Sequence, residues 1–448
     1  MKPEVVIVHA VDTEGPLFES IEAKWLRLEE MFGIVTEEKT EAKLQALLNG
    51  ELEVDIPLEN IRAVFSSHLS QFNSSWPEVD DMLSEIYSQE FRFRFLDSYD
   101  RPWGITWHCL DHIGYDANPR NRDLGHHKIF DHYDRWISEY PNYEDTLEWH
   151  FHPASIFNEA HRCATLAFRN DNIFQILSRK IIDRGWFPTS FRAGFHAERP
   201  DLNWFLEQWI PFDLSNIAKI DDNRHGARDM QGGRFGDWRR APSQWGIYSP
   251  SHDDYQVPGS CRRYIGRVLN VLNRLASVDE NDLETAFQQA KDSATPILVG
   301  ITGHDFRDLR TEICYFGGLL ESVRERHPDV MVRFETTANG FQRCLWPTGF
   351  SENSLRLTHQ FHRIHGEVIL EISALKGQVF GPQPFLAIKT LGGQYIHDNF
   401  DFQKDGWTYV FNEHTVPLDM IEAIGIAAND PFGNRSTISL SKPWSLPS

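Results

Sequence analysis

The chain has 448 residues, 41% of them hydrophobic and 13% aromatic, with 14 Trp and 31 Phe; that is apolar material for a sizeable core and excludes a disordered chain. At about 150 residues per domain the length corresponds to two or three domains. Acidic residues outnumber basic ones 65 to 44, a formal net charge of −21, and no Lys/Arg run interrupts it. Such a surface repels phosphate backbones and anionic lipids, so neither nucleic acid nor a membrane is an expected partner.

The first predicted element is a buried strand over residues 5–11, an apolar run with Glu4 before it and Asp12 after it. It is too short and wrongly flanked for a signal peptide, and no run approaches the ~20 apolar residues of a spanning helix. The five cysteines (Cys109, Cys163, Cys261, Cys314, Cys344) are scattered, odd in number and without C-x-x-C spacing, which reads as reduced thiols. A cytoplasmic protein is expected.

Residues 18–100 carry Trp25, Leu28 and Phe32 at helical spacing and read as a helical insertion, either a lid over a site or peripheral packing. A strand is predicted over 103–109, a helix over 124–140, a strand over 146–151 and a helix over 158–184. Phe174, Leu177 and Ile181 share one face of that helix, and Gly185 follows as its C′ residue. Strands over 187–191 and 210–214 flank a helix over 202–209. A continuous apolar strand over 296–301 precedes a helix bearing Ile313, Phe316, Leu320 and Val323, and a strand over 330–334 closes this part. Strands separated by helices predict parallel α/β architecture, with functional groups at the C-terminal strand ends. After Trp346-Pro347 the pattern changes to short, often alternating runs (355–357, 367–372, 385–390, 407–411, 423–427, 437–440), with Trp407, Tyr409 and Phe411 on one face and turn sequences at Gly392-Gly393 and 430–434. These predict an antiparallel β-sandwich. The domains are therefore 1–348 and 349–448, the second a carbohydrate-binding module or a structural domain through which the chain forms a homo-oligomer.

Polar groups that the strands do not require mark several strand ends. Asp12 and Glu14, two apart on an extended chain, point the same way. In Glu148-Trp149-His150-Phe151-His152-Pro153, the period of two puts Glu148, His150 and His152 on one face. Paired imidazoles at i and i+2 suit zinc, nickel, cobalt or iron, with a carboxylate completing the set; the alternative is a hydrogen-bonded pair on a half-buried strand. Eight of the 20 histidines lie between residues 108 and 161 (His108, His112, His126, His127, His132, His150, His152, His161), which favours a polar cavity there. Arg192 follows an apolar strand and can hold a carboxylate by a bidentate contact. His304, in Thr302-Gly303-His304-Asp305, ends the most apolar strand. Asp213 ends another strand and can orient an imidazole.

This succession of acidic turn, paired histidines, arginine, aspartate and late histidine resembles the polysaccharide deacetylase (NodB-like carbohydrate esterase) family over roughly residues 4–340. The resemblance implies a distorted (β/α) barrel and a divalent metal, commonly zinc, used to remove acetyl groups from amino sugars. Val11-Asp12-Thr13-Glu14-Gly15-Pro16 stands where the family has T-F-D-D-G-P, so Asp12 matches the base and Glu14 the metal ligand, or the two roles are exchanged. Registering the family's H-x-x-x-H on His152-Pro153 puts Glu148 at the first histidine, and His150 substitutes for it. Arg192 matches the arginine that holds the base, with Gly194 where a proline is usual. His304 matches the late histidine, kept protonated by Asp213. The implied function is a metal-dependent hydrolase removing an N-acyl group from a saccharide precursor. The alternatives are a non-catalytic carbohydrate-binding or scaffold protein on the same barrel, a hydrolase of another amide, and a related barrel glycosidase. For the glycosidase, Asp213 or Glu148 would have to face Asp12 or Glu14 across the sugar at ~5–9.5 Å.

Overall fold

A computed structural model describes residues 2–65, 70–160, 162–163, 166–167, 172–220, 236–273, 276–349 and 354–444. Its strands before residue 350 are β1 (Glu4–Thr13), β2 (Ile105–Cys109), β3 (Thr146–Phe151), β4 (Ser190–Ala193), β5 (Phe212–Asn216), β6 (Ile247–Tyr248), β7 (Tyr264–Asn270), β8 (Ile297–His304) and β9 (Met331–Glu335). Seven of them, in the order β1-β2-β3-β4-β5-β7-β8 and back to β1, close a parallel barrel. The hub is β1, ten residues long, rich in β-branched side chains and buried on both faces, as an internal parallel strand must be. One edge of β1 pairs along its length with β8, from Val5↔Ile297 to Asp12↔His304. The other edge is divided: β9 takes Glu4 to Val8 and β2 takes His9 to Thr13.

The period of two sorts the side chains of β1. Val6, Val8 and Ala10 point into the barrel, where they pack with Phe212, Leu214, Val268, Leu298 and Phe341. Val5, Ile7 and Val11 point outward into the larger core shared with the surrounding helices. Phe341 comes from the helix Thr337–Leu345, whose ring stacks on Phe212 at 4.8 Å and plugs the lower end. The upper, C-terminal end is left for polar side chains.

Between β1 and β2 the chain forms helices Ile21–Phe32, Glu41–Asn49, Leu58–Val64, Trp76–Ile86 and Gln89–Arg92. The first three share a small core of their own around Trp25, Leu28, Leu44, Leu47 and Ile61, whereas Val79, Met82, Leu83 and Ile86 join the main core. Asn73 ties this segment to the loop after β8, donating from Nδ2 to the carbonyls of Asp305 (2.9 Å) and Arg307 (3.1 Å).

Some expectations are corrected. The helix predicted over 158–184 is helical only as Asn172–Arg184 among the described residues; Asn158 is left-handed (φ 48°) and its carbonyl accepts from Asp116 and Ala117, so the chain there is a loop. The strand predicted over 187–191 lies at Ser190–Ala193. Strand β7 and the helices Glu280–Asp292 and Thr337–Leu345 were not predicted.

Beyond residue 350 there are two four-stranded antiparallel sheets. One contains β10 (Arg356–Ile364), β11 (Glu367–Lys376), β14 (Asp401–Gln403) and β15 (Gly406–Phe411), and the other β12 (Phe385–Thr390), β13 (Tyr395–Asp398), β16 (Ile421–Asn429) and β17 (Arg435–Ser441). Leu370, Ile372, Tyr409 and Phe411 face Leu386, Ile388, Ile424 and Ile426 across the sandwich core. The other face of the second sheet, with Phe385, Ala387 and Ala427, packs into the main core of the barrel domain. Among the described residues none of the five cysteines is in a disulfide, and no helix is long and apolar enough to cross a membrane.

Candidate active site

The inward alternation Val6, Val8, Ala10 continues to Asp12, and Glu14 follows on the same side just beyond the strand. Asp12 meets Arg192 of β4, whose Nε and Nη2 engage the two carboxylate oxygens (Nη2–Oδ2 2.9 Å) while Nη1 donates to the carbonyl of Leu214. Both side chains are buried. Burial opposes ionisation of Asp12, but the Arg192 charge, aided by His150, outweighs it and holds the carboxyl below the usual carboxylate range.

His150 of β3 and His152, one residue beyond its end, project toward the same point. Nδ1 of His150 lies 3.0 Å from the carbonyl of Arg192; a carbonyl only accepts, so Nδ1 carries the hydrogen and Nε2 a lone pair. That Nε2 stands 2.8 Å from Nε2 of His152, and Oε1 of Glu14 is 3.8 and 3.7 Å from the two nitrogens. The second oxygen of Glu14 is held by Arg122. Burial depresses His152 to about 3, which keeps it in the neutral form that ligates metals. Glu14, too, is held well below its usual range, because Arg122 and the imidazoles outweigh its burial. Ligand atoms of Glu14, His150 and His152 all lie within 4.8 Å of one another. One carboxylate oxygen and two imidazole nitrogens, with one tautomer fixed through a backbone carbonyl, fit a divalent metal of the zinc type.

His304 at the end of β8 completes the ring. Its Nε2 is 3.8 Å from Asp12 Oδ2 and 3.9 Å from Glu14 Oε1, and at 17% exposure it is the most open member. Burial lowers it to about 4, so the imidazole is neutral at physiological pH.

Asp213 requires correction. On β5, Phe212 and Leu214 point into the barrel, so the period of two turns Asp213 outward. There it accepts from Arg263 Nη1 at 2.9 Å, beside Glu198 and Asn203. It does not orient His304, and His304 is not held protonated. Glu148 does not join the cluster either: its Oε2 accepts from the backbone amides of Thr189 (2.8 Å) and Ser190 (2.7 Å).

Several contributors were given no role in the site by the sequence, although His112, Gly194 and Asp305 stand within motifs it marked. Asp305 accepts from the amides of Glu14 and Gly15, both at 2.8 Å, and from the Tyr133 hydroxyl at 2.9 Å, fixing the acidic turn. His112 lies 2.8 Å from the carbonyl of Glu14. Gly194 is explained by contact: a Cβ there would sit 2.2 Å from Cδ2 of His152, so the ring can occupy its place only over a glycine. The next residues, Phe195 and His196, are both left-handed (φ 51°), a strained pair restrained by Trp238 Nε1 donating to the His196 carbonyl at 2.9 Å. The sequence signals for this layer were the adjacency of Asp305 to His304, the histidine clustering that includes His112, and Gly194 in place of a proline.

The rest of the histidine group divides. His108 is turned inward and bonds the Trp149 carbonyl and Thr337. His127 and His132 pair with Asp183 and Asp80, His126 stands beside His127, and His161 lies outside the described residues. Of the aromatic residues near the motifs, Trp103, Trp107, Trp149 and Phe151 are core; Phe195 contacts the His152 ring at 5.3 Å. Comparison of the sequence with protein-family models and with curated proteins finds no match.

Proposed function

We propose that the protein is a metal-dependent hydrolase of the polysaccharide deacetylase type, removing an N-acyl group from a sugar or saccharide precursor. The observation that carries this reading is the convergence of Asp12, Glu14, His150, His152, Arg192 and His304 at one end of a parallel barrel. Glu14, His150 and His152 hold the metal; zinc is the ion favoured by this donor set. When bound, such an ion acidifies water and polarises a carbonyl.

The protein's own groups supply the rest. Arg192 fixes the direction of Asp12 and keeps it ionised, so it is ready to accept a proton from the attacking water. His304 starts neutral, with Nε2 3.8 Å from Asp12. A proton taken by Asp12 is therefore passed to His304 and on to the leaving nitrogen. Asp305 holds the Glu14–Gly15 turn rigid, and Gly194 leaves room for His152. Each acid–base role is worth about 10²–10⁴-fold.

The test is metal content by plasma mass spectrometry together with acetate release from N-acetylated amino sugars, for wild type and for a folded His150→Ala/His152→Ala variant. The expected result is one equivalent of divalent metal fewer in the variant, with hydrolysis abolished. Equal metal in the two proteins after exposure to zinc, nickel and cobalt would end the metal reading in favour of a non-catalytic carbohydrate-binding protein.

A further inference from the structure

A second set of ligand-type side chains lies outside the barrel. Glu207, near the end of the helix Pro200–Trp209, meets His252 and Cys261 from the loop that joins β6 to β7. Nδ1 of His252 is 2.7 Å from Glu207 Oε2, and ligand atoms of Glu207, His252 and the buried Cys261 all lie within 4.8 Å of one another. We propose that Glu207, His252 and Cys261 form a second metal site, for zinc or another divalent ion that accepts a thiolate, and that the ion clamps this loop to the helix.

The backbone around the cluster is already arranged. Asn203 Nδ2 donates to the carbonyls of Ser251 (3.1 Å) and His252 (2.9 Å), and Trp204 Nε1 donates to the latter at 2.8 Å. The Trp204 indole also stacks on the His252 ring, centroids 5.9 Å apart and 24° from parallel. At the stem of the loop, Cys261 N donates to Pro250 O (2.9 Å) and Gly259 N to Ser249 O (2.8 Å). An ordinary surface Glu–His pair needs neither a buried thiol within ligand reach nor a loop carbonyl held by two side-chain donors. Arg262 turns its guanidinium to the backbone carbonyl of Glu207 at 3.3 Å.

The donor chemistry is that of a zinc site with three protein ligands and one open position. Carboxylate and thiolate together neutralise a divalent ion. His252 is 64% exposed, so the ion enters from solvent and water takes the fourth place. A metal is ligated by thiolate, so binding breaks the Cys261 S–H bond, forms the metal–sulfur bond and releases one proton to solvent.

The experiment is a cobalt(II) titration of the full chain, freed of metal by chelation and dialysis. A thiolate-to-cobalt charge-transfer band in the near ultraviolet should appear and saturate, by two equivalents in wild type and at one equivalent in His150→Ala/His152→Ala, where the mouth cluster no longer competes. It should be absent from Cys261→Ser and from His252→Ala, and retained in His150→Ala/His152→Ala. His252 is exposed, so its variant tests the site even where Cys261→Ser fails to fold. Absence of the band from wild type, or its survival in both single variants, overturns the proposal. The mouth cluster contains no sulfur, so the band reports this site alone and persists whether or not the hydrolase reading stands.

Discussion

Two sets of buried charged side chains occupy opposite faces of one barrel wall, and they differ in how completely they are closed. On the outer face Arg263 engages Asp213, Glu198 and Asn203. Burial raises Glu198 well above the carboxylate range against the pull of Arg263, with the Asp213 charge adding to it. One guanidinium thus serves both carboxyl groups, with Asn203 beside them. On the inner face Asp12 and Glu14 are balanced by Arg192 and Arg122, but the facing nitrogens of His150 and His152 and one oxygen of Glu14 still converge on a common point. A buried ionic cluster that consumes its own valences is architecture; one that leaves several lone pairs aimed together is a receptor.

The largest expected effect is on the inner set. Arg192→Met leaves Asp12 buried without its partner, so stability should fall by about 3–5 kcal/mol and hydrolysis by at least ~10²-fold, read by chemical denaturation and by turnover of the remaining folded protein. Arg192→Lys, which keeps the charge but not the bidentate fork, should recover only part of both losses. Arg263→Met should cost a similar ~3–5 kcal/mol with turnover per folded molecule unchanged. Asp213→Asn should cost about 1–3 kcal/mol, again without affecting turnover; a loss of hydrolysis as deep as that of His304→Ala would dissolve the distinction between the two faces.

A further effect, seen only as a difference between two pH values, sharpens the comparison. Burial raises Glu148 from 4.5 to about 7, so between those values the folded state holds a proton that the unfolded chain has released. Its contribution to stability is intact below pH 4.5 and is lost as pH rises through 7, a change on the order of 3 kcal/mol. Glu148→Gln keeps an acceptor for the Thr189 and Ser190 amides and cannot ionise. It should match wild type at pH 4.5 and exceed it at pH 8, measured by denaturant midpoints at the two values.

The parts of the fold that were legible in the sequence are those whose side-chain pattern is extreme. β1 and β8 are apolar runs without a break, and β3 alternates strictly, which is why its histidines were placed on one face. β7 was missed because Gly266 and Arg267 interrupt it; Arg267 is held by the Ala218 carbonyl and lies over Trp245, contacts invisible in one dimension. The capping box that starts Glu280–Asp292 (Asp279 with Asp282) was available and overlooked. At the site, strand ends marked Asp12, Glu14, Arg192 and His304 because a polar group after an apolar strand is anomalous wherever the chain leads. Asp213 satisfied the same rule, and only knowing that Phe212 and Leu214 point inward separates it. Asp305 acts through the amides of Glu14 and Gly15, 291 and 290 positions away in sequence, and no local pattern encodes such a partnership.

The divided edge of β1 also sets an order of events. Its neighbours come from residues 105–109, 297–304 and 331–335, so β1 waits for barrel strands made much later in the chain before both its edges are filled. Pairings across such separations are slow, because the connecting chain must be closed before they yield any stabilisation. Asp12, Glu14, His150, His152 and Arg192 leave the ribosome well before His304 and Asp305. Insertion of β8 beside β1 is therefore the step that converts a half-built barrel into one with a working mouth, and refolding should regain secondary structure earlier than it regains the mouth.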